Sequence, residues 1–139
     1  MKIYIGGALT RLNNDNRKKF YEAIAERAEA LGFVCHVPHL MTDPKKHPMI
    51  SPAEVYTYNY KKVKEADILL AYVGEASTGT GIEVEIAKNN NTKVVLIYEK
   101  DCPVTRMARG NPAVVEEIAF ANENDALDQI ETFLKKTQI

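Results

Sequence analysis

The run Ile68-Leu69-Leu70-Ala71-Tyr72-Val73 is apolar at every position. A strand with one solvated face alternates apolar and polar residues, so an unbroken run of this length calls for a strand covered on both faces. Residues 93–98, Lys-Val-Val-Leu-Ile-Tyr, give a second buried strand, and residues 81–89 between the two read as a helix. The same alternation runs along the rest of the chain. Residues 2–6 are a short first strand ending in Gly6-Gly7, and residues 33–37 a second. Residues 14–31 are helical because Phe20, Ile24, Ala28 and Leu31 recur at helical spacing before Gly32 ends the segment. Residues 52–65 form a further helix, residues 114–120 a fifth strand, and residues 125–136 a closing amphipathic helix carrying Leu127, Ile130 and Leu134. Residues 38–51 hold three prolines and little periodicity, which predicts a long loop of the kind that often serves function. Residues 101–112 are irregular.

Strands alternating with helices imply right-handed crossovers and a parallel sheet between helix layers. The expected fold is α/β: a three-layer, flavodoxin-like or Rossmann-like arrangement with a five-stranded, mainly parallel sheet in one domain spanning residues 1–139. Ligands of such sheets bind at the carboxyl ends of the strands, near the point where strand order reverses. The loops at residues 6–11 and 74–81 both border that crevice.

Composition excludes several classes of partner. A formal net charge of −1 over 139 residues gives no general attraction to a nucleic-acid polymer or an anionic membrane. Cys35 and Cys102 are too few for a disulfide scaffold. The amino terminus has no signal-peptide layout and no apolar run reaches bilayer-spanning length, so the cytoplasm is the expected compartment.

The chemistry concentrates in Ser77-Thr78-Gly79-Thr80-Gly81-Ile82-Glu83, which follows the most apolar strand and opens a helix. Gly79 and Gly81 let backbone turn tightly and approach a ligand, and a helix start offers free N–H groups and a positive dipole end to an anion. Ser77, Thr78 and Thr80 either cap the helix or cradle a phosphate or carboxylate, and these roles are compatible. Glu83, placed in the first helical turn, is either a complement to the dipole or an ionised nucleophile. Glu85 lies roughly 200° around the helix and cannot share its crevice. Tyr4 is either core or a phenol that orients a carboxylate. Asn59, midway along its helix near Tyr56 and Tyr60, hints at a polar partner. Arg11 is placed to reach an anion at the crevice, while Thr105, Arg106 and Arg109 form a polar cluster, and Asp67 marks a strand start. His36 and His39 have a ligand-like spacing, but the proline between them and the lack of clustered cysteines or carboxylates argue against a metal. A flavin-phosphate loop would follow the first strand, not the third; the acidic residues of a receiver domain and the glycine patterns of dinucleotide or Walker sites are also missing. No metal and no cofactor is expected.

Lys2-Ile3-Tyr4-Ile5-Gly6-Gly7-Ala8, Ala66-Asp67-Ile68-Leu69-Leu70-Ala71, the Ser-x-Gly-x-Gly-x-Glu pattern of residues 77–83, and Thr105-Arg106-Met107-Ala108-Arg109-Gly110 together resemble the nucleoside 2-deoxyribosyltransferase superfamily. The resemblance covers most of the chain and is strongest to the branch of 2′-deoxynucleoside 5′-monophosphate N-glycosidases. It implies that Glu83 is the catalytic nucleophile attacking C1′ and that Tyr4 positions it. It also implies that Asn59 stands where the family usually has an Asp that contacts the sugar and assists proton transfer. Gly6, Ala8, Arg11, Ser77, Gly79 and Gly81 would lie along the substrate, with Ser77 on the 5′-phosphate. Ala8 replaces a hydroxyl residue, with Thr10 close by. Thr105 would be contributed by a neighbouring subunit, which implies a homodimer. The implied reaction is hydrolysis of a (deoxy)nucleoside 5′-monophosphate. The alternatives are base exchange by a deoxyribosyltransferase and a non-catalytic nucleotide-binding module. Residues 38–51 are too dissimilar to name a base.

Overall fold

A computed structural model of the chain describes residues 1–9, 16–43 and 46–138. The elements run β1 (Lys2–Gly6), α1 (Asn16–Ala30), β2 (Val34–His36), α2 (His39–Thr42), α3 (Pro52–Glu65), β3 (Ile68–Tyr72), α4 (Thr78–Asn89), β4 (Lys93–Glu99), α5 (Arg106–Arg109), β5 (Val114–Phe120) and α6 (Glu123–Thr137). The strands form one sheet in the order β2-β1-β3-β4-β5, and every pairing is parallel. This is the flavodoxin-like order, and the expected α/β class is met.

The unbroken apolar runs behave as expected of central strands. All five residues of β3 are buried, and alternate side chains enter different cores. Ile68, Leu70 and Tyr72 join Val95 and Ile97 beneath α1 and α6, which contribute Phe20, Ile24, Ala28, Ile130 and Leu134. Leu69 and Ala71 join Tyr4, Val94 and Leu96 on the other face, against Val63 of α3 and Val84 and Ala87 of α4. Three layers result, with α1 and α6 on one side and α3 and α4 on the other.

Local signals set most boundaries. Gly32, at φ +94°, ends the first helical segment. Ser51 caps α3 by accepting from Glu54 N–H while the Glu54 side chain reaches back to the Ser51 N–H, with Pro52 at the first helical position. Asn122 caps α6. Residues 38–51 are not wholly irregular: Pro38, itself in a helical conformation, starts the single turn α2, whose Thr42 bonds back to Pro38 O through both its N–H and its hydroxyl. A buried Lys18–Asp43 ion pair ties the end of this turn to α1. Residues 101–112 likewise contain the short turn α5. Among the described residues no helix is long and apolar enough to cross a membrane.

Leu70 is fully enclosed on the α1/α6 face. Leu70→Ala is expected to lower the unfolding free energy by about 2–5 kcal/mol in urea denaturation, whereas Val115→Ala, at a half-exposed edge-strand position, is expected to cost well under 1 kcal/mol.

Candidate active site

The strand order reverses between β1 and β3, and a cleft of about 880 Å³ lies at that point. Its base is Ile5 and residues 7–9 after β1, and one side is the start of α4. A second wall is one face of α3: Pro52, Val55, Tyr56, Asn59 and Tyr60 recur at i, i+3, i+4, i+7 and i+8. The third is the segment around α2, including His39, Thr42 and His47.

Glu83 lines this cleft, and the Tyr4 hydroxyl donates a hydrogen bond to its Oε2. Tyr4 is fully buried in β1, so the phenol reaches the carboxylate from within the core. Gly6 makes the approach feasible, because a Cβ there would lie 3.0 Å from Glu83 Oε1. Burial pushes the Glu83 carboxyl up to about 7, with the Tyr4 hydrogen bond pulling in the opposite direction. Desolvation, followed by the charge of Glu83, raises the Tyr4 phenol well above its ordinary value, so it remains a donor. Glu83 Oε1 has no hydrogen-bond partner among the described residues, and Glu83 lines the cleft.

Two details of the sequence expectation need correction. The helix starts at Thr78, not Gly81, which moves Glu83 from the first turn to the second. The helix dipole acts chiefly within the first turn, so desolvation dominates and the carboxyl is held less acidic, not more. Nor do the two glycines serve a tight turn, since neither has positive φ. A Cβ at Gly81 would meet nothing within 4 Å, and one at Gly79 only Ser77 Oγ at 4.0 Å. Gly79 lines the cleft and keeps the helix start bare there, whereas Gly81, expected along the substrate, is not among the lining residues.

Ser77 caps that turn: its Oγ accepts from Thr80 N at 3.2 Å and from Thr80 Oγ1 at 3.1 Å. Its own hydroxyl proton stays free, and the Thr78 and Gly79 N–H groups precede the first intrahelical bond, which Gly81 N makes to Ser77 O. Ala8 lines the cleft and its carbonyl accepts from the Tyr21 hydroxyl at 3.0 Å. Asn59 also lines it, with a buried Oδ1 that has no partner among the described residues. Arg11 and Thr10 lie outside the described residues. Thr105 is not part of this cleft; it caps α5 by accepting from Met107 N at 3.2 Å. Arg109 pairs with Glu117 at 2.7 Å, and Asp67 accepts from Lys2 N at 2.7 Å, joining the starts of β1 and β3. Glu85 turns away to Asn111 and Lys88.

The histidines serve separate surroundings. The His36 ring packs between Tyr4 (5.2 Å) and Tyr58 (5.5 Å), and burial, aided by Lys62, pushes it down to about 4, leaving it neutral. His39 is held by Glu22 at 3.2 Å and lies beside Tyr21. Sequence reasoning passes over Tyr21 as a cleft residue. A Cβ at Gly7 would fall 2.3 Å from its hydroxyl, so the Gly6-Gly7 pair was the available signal: the first glycine admits Glu83, the second admits Tyr21.

A family model described as "Domain of unknown function (DUF4406)" matches residues 1–96. The chain belongs to the DUF4406 family. The matched span holds Tyr4, Asn59, Ser77 and Glu83 and stops before Thr105. This DUF4406 chain is 29% identical over 131 residues to a Methanosarcina mazei protein named "Putative 2'-deoxynucleoside 5'-phosphate N-hydrolase 1", covering 92% of the chain and 80% of that relative. Its fold is similar to that of Clostridium botulinum CMP N-glycosidase, with a TM-score of 0.75 at 20% identity over 96% of this chain and 99% of that one. It is also similar to a 2-deoxyribosyltransferase from Bacillus psychrosaccharolyticus, with a TM-score of 0.70 at 20% identity over 92% and 91% of the two chains. These likenesses fit the superfamily and the nucleotide-cleaving branch that the motifs resemble.

Glu83 binds its proton more tightly folded than unfolded, where a carboxyl titrates near 4.5. Between about pH 4.5 and 7 the unfolded state therefore loses the proton first, and stability falls as pH rises. Glu83→Gln is expected to be more stable than wild type at pH 8, by on the order of 3 kcal/mol, with the gap closing toward pH 4.5. Thermal unfolding across that range checks this; a gap independent of pH would contradict it.

Proposed function

We propose that this DUF4406 protein hydrolyses the N-glycosidic bond of a (deoxy)nucleoside 5′-monophosphate, releasing the free base and the sugar 5-phosphate. The observation that carries the reading is the Glu83 carboxylate, bound through one oxygen by a core tyrosine and presenting the other to a cleft beside an uncovered helix start. Glu83 Oε1 attacks C1′ while the C1′–N bond breaks and its electron pair leaves on the base nitrogen, which takes up a proton. Water then attacks C1′ and returns the carboxylate, so that one difficult displacement becomes two easier ones.

Tyr4 steadies Oε2 and leaves Oε1 as the attacking atom. The Ser77 hydroxyl and the Thr78 and Gly79 N–H groups suit a dianionic 5′-phosphate. The amide of Asn59 suits hydrogen bonds to the sugar but cannot transfer a proton as a carboxyl would, so water or another cleft group protonates the leaving base. A second copy of the chain supplies Thr105 in this reading, which suits its exposed position outside its own cleft.

The test is a panel of ribo- and deoxyribonucleoside monophosphates scored for free base, with and without a second base present. Release without exchange is expected; an exchanged nucleoside would make the protein a transferase. Glu83→Ala is expected to abolish release while nucleotide binding persists, and binding without release by wild type would leave only a nucleotide-binding module. The attacking carboxylate must be ionised, so kcat/KM is expected to rise with pH through about 7. Gly6→Ala places a methyl 3.0 Å from Oε1; kcat/KM is expected to fall about 100-fold with the unfolding midpoint little changed.

A further inference from the structure

The polar side chains on the α2 wall of the cleft share one property. Each spends a donor on a neighbouring protein oxygen and keeps an acceptor. His39 is 1% exposed, and its Nε2 faces Glu22 Oε1 at 3.2 Å. A carboxylate only accepts, so Nε2 bears a proton, and in the neutral ring Nδ1 carries a lone pair. That Nδ1 is buried with no partner among the described residues. The Thr42 hydroxyl donates to Pro38 O at 3.0 Å, leaving only its lone pairs. His47 Nε2 faces Leu40 O at 3.2 Å, a carbonyl that likewise only accepts, so in the neutral ring its Nδ1 is also an acceptor. Across the cleft, Asn59 Oδ1 is a fourth acceptor without a partner.

We infer that this wall selects a nucleobase whose facing edge carries an exocyclic amino group and rejects the counterpart carrying a keto oxygen there. The inference rests on the proposal that a nucleotide occupies the cleft. With the phosphate at the start of α4 and C1′ at Glu83, the base fills the space toward α2 and α3. An amino group gives His39 Nδ1 the donor it lacks, whereas a keto oxygen sets lone pair against lone pair and leaves a buried acceptor unsatisfied. Sites built on hydrogen bonds discriminate more sharply than apolar pockets of the same shape. Glu22, which does not line the cleft, is the positioning residue, because it fixes which ring nitrogen of His39 bears the proton.

Two pairs of near-isosteric nucleotides test this at pH 8, where imidazole is neutral: dCMP against dUMP, and dAMP against dIMP. Binding is measured calorimetrically on Glu83→Gln and base release on otherwise wild-type protein. The amino member of each pair is expected to be favoured by about tenfold or more in Kd and, where cleavage occurs, in kcat/KM. Glu22→Gln offers His39 an N–H as well as an oxygen, frees the tautomer, and is expected to narrow the ratio without weakening the fold. His39→Phe keeps a ring beside Tyr21 and is expected to bring the ratio toward one; Thr42→Val gives a smaller change in the same direction and serves if His39→Phe does not fold. Keto nucleotides favoured equally or better would overturn the inference while leaving any observed glycosidase activity standing. An amino preference in binding without base release would uphold the inference and overturn the glycosidase reading. Failure of all four nucleotides to bind would overturn both.

Discussion

The carboxyl end of the sheet is organised around the hydrogen bond from Tyr4 to Glu83. A carboxylate carried on one helix is brought against the end of a central strand, where burial opposes its charge. Three local features permit that arrangement: a phenol in the core supplies a donor, Gly6 withholds the methyl that would collide with Oε1, and the strand order opens a gap between β1 and β3. The cost of burial leaves the carboxyl near neutrality, and the single donor fixes which oxygen remains available to a ligand.

The cleft around this pair is chemically lopsided. The α4 side offers donors, namely the Ser77 hydroxyl and the first N–H groups of the helix. The α2 side offers acceptors, because Glu22, Pro38 and Leu40 draw the protons of His39, Thr42 and His47 away from the cavity. A molecule with an anionic end and an amino end would be oriented by this contrast before any chemistry begins. The apolar lining between them, including Ile5, Val55 and Ile86, suits a flat ring.

Much of the frame was legible in the sequence because the central strands are buried on both faces and so read as unbroken apolar runs. The start of α3 was readable from Ser51, Glu54 and Pro52, and the placing of Asn59 beside a substrate came from the family resemblance rather than from spacing. The two short turns α2 and α5 were not readable, since a single turn has no periodicity. The position of Glu83 in the second turn was missed because Thr78 and Gly79 look like loop residues, although Ser77 caps a helix that includes both. The raised carboxyl was missed as well, because burial is a property of the assembled layers and no local pattern reports it. The roles of His39 and Tyr21 depend on contacts with Glu22 and Gly7 that are distant in sequence and invisible to spacing.

The Lys18–Asp43 ion pair has a consequence for how such a protein could be altered. It joins the end of α2 to α1, and the Ser51 cap fixes the same segment at its other end. The groups proposed to react, Tyr4 and Glu83, lie elsewhere, in β1 and α4. The α2 wall that would choose a base is thus held in place by contacts of its own, separate from the elements that would perform the bond cleavage. A library confined to His39, Thr42 and His47 could retarget the pocket while leaving the Tyr4–Glu83 pair undisturbed.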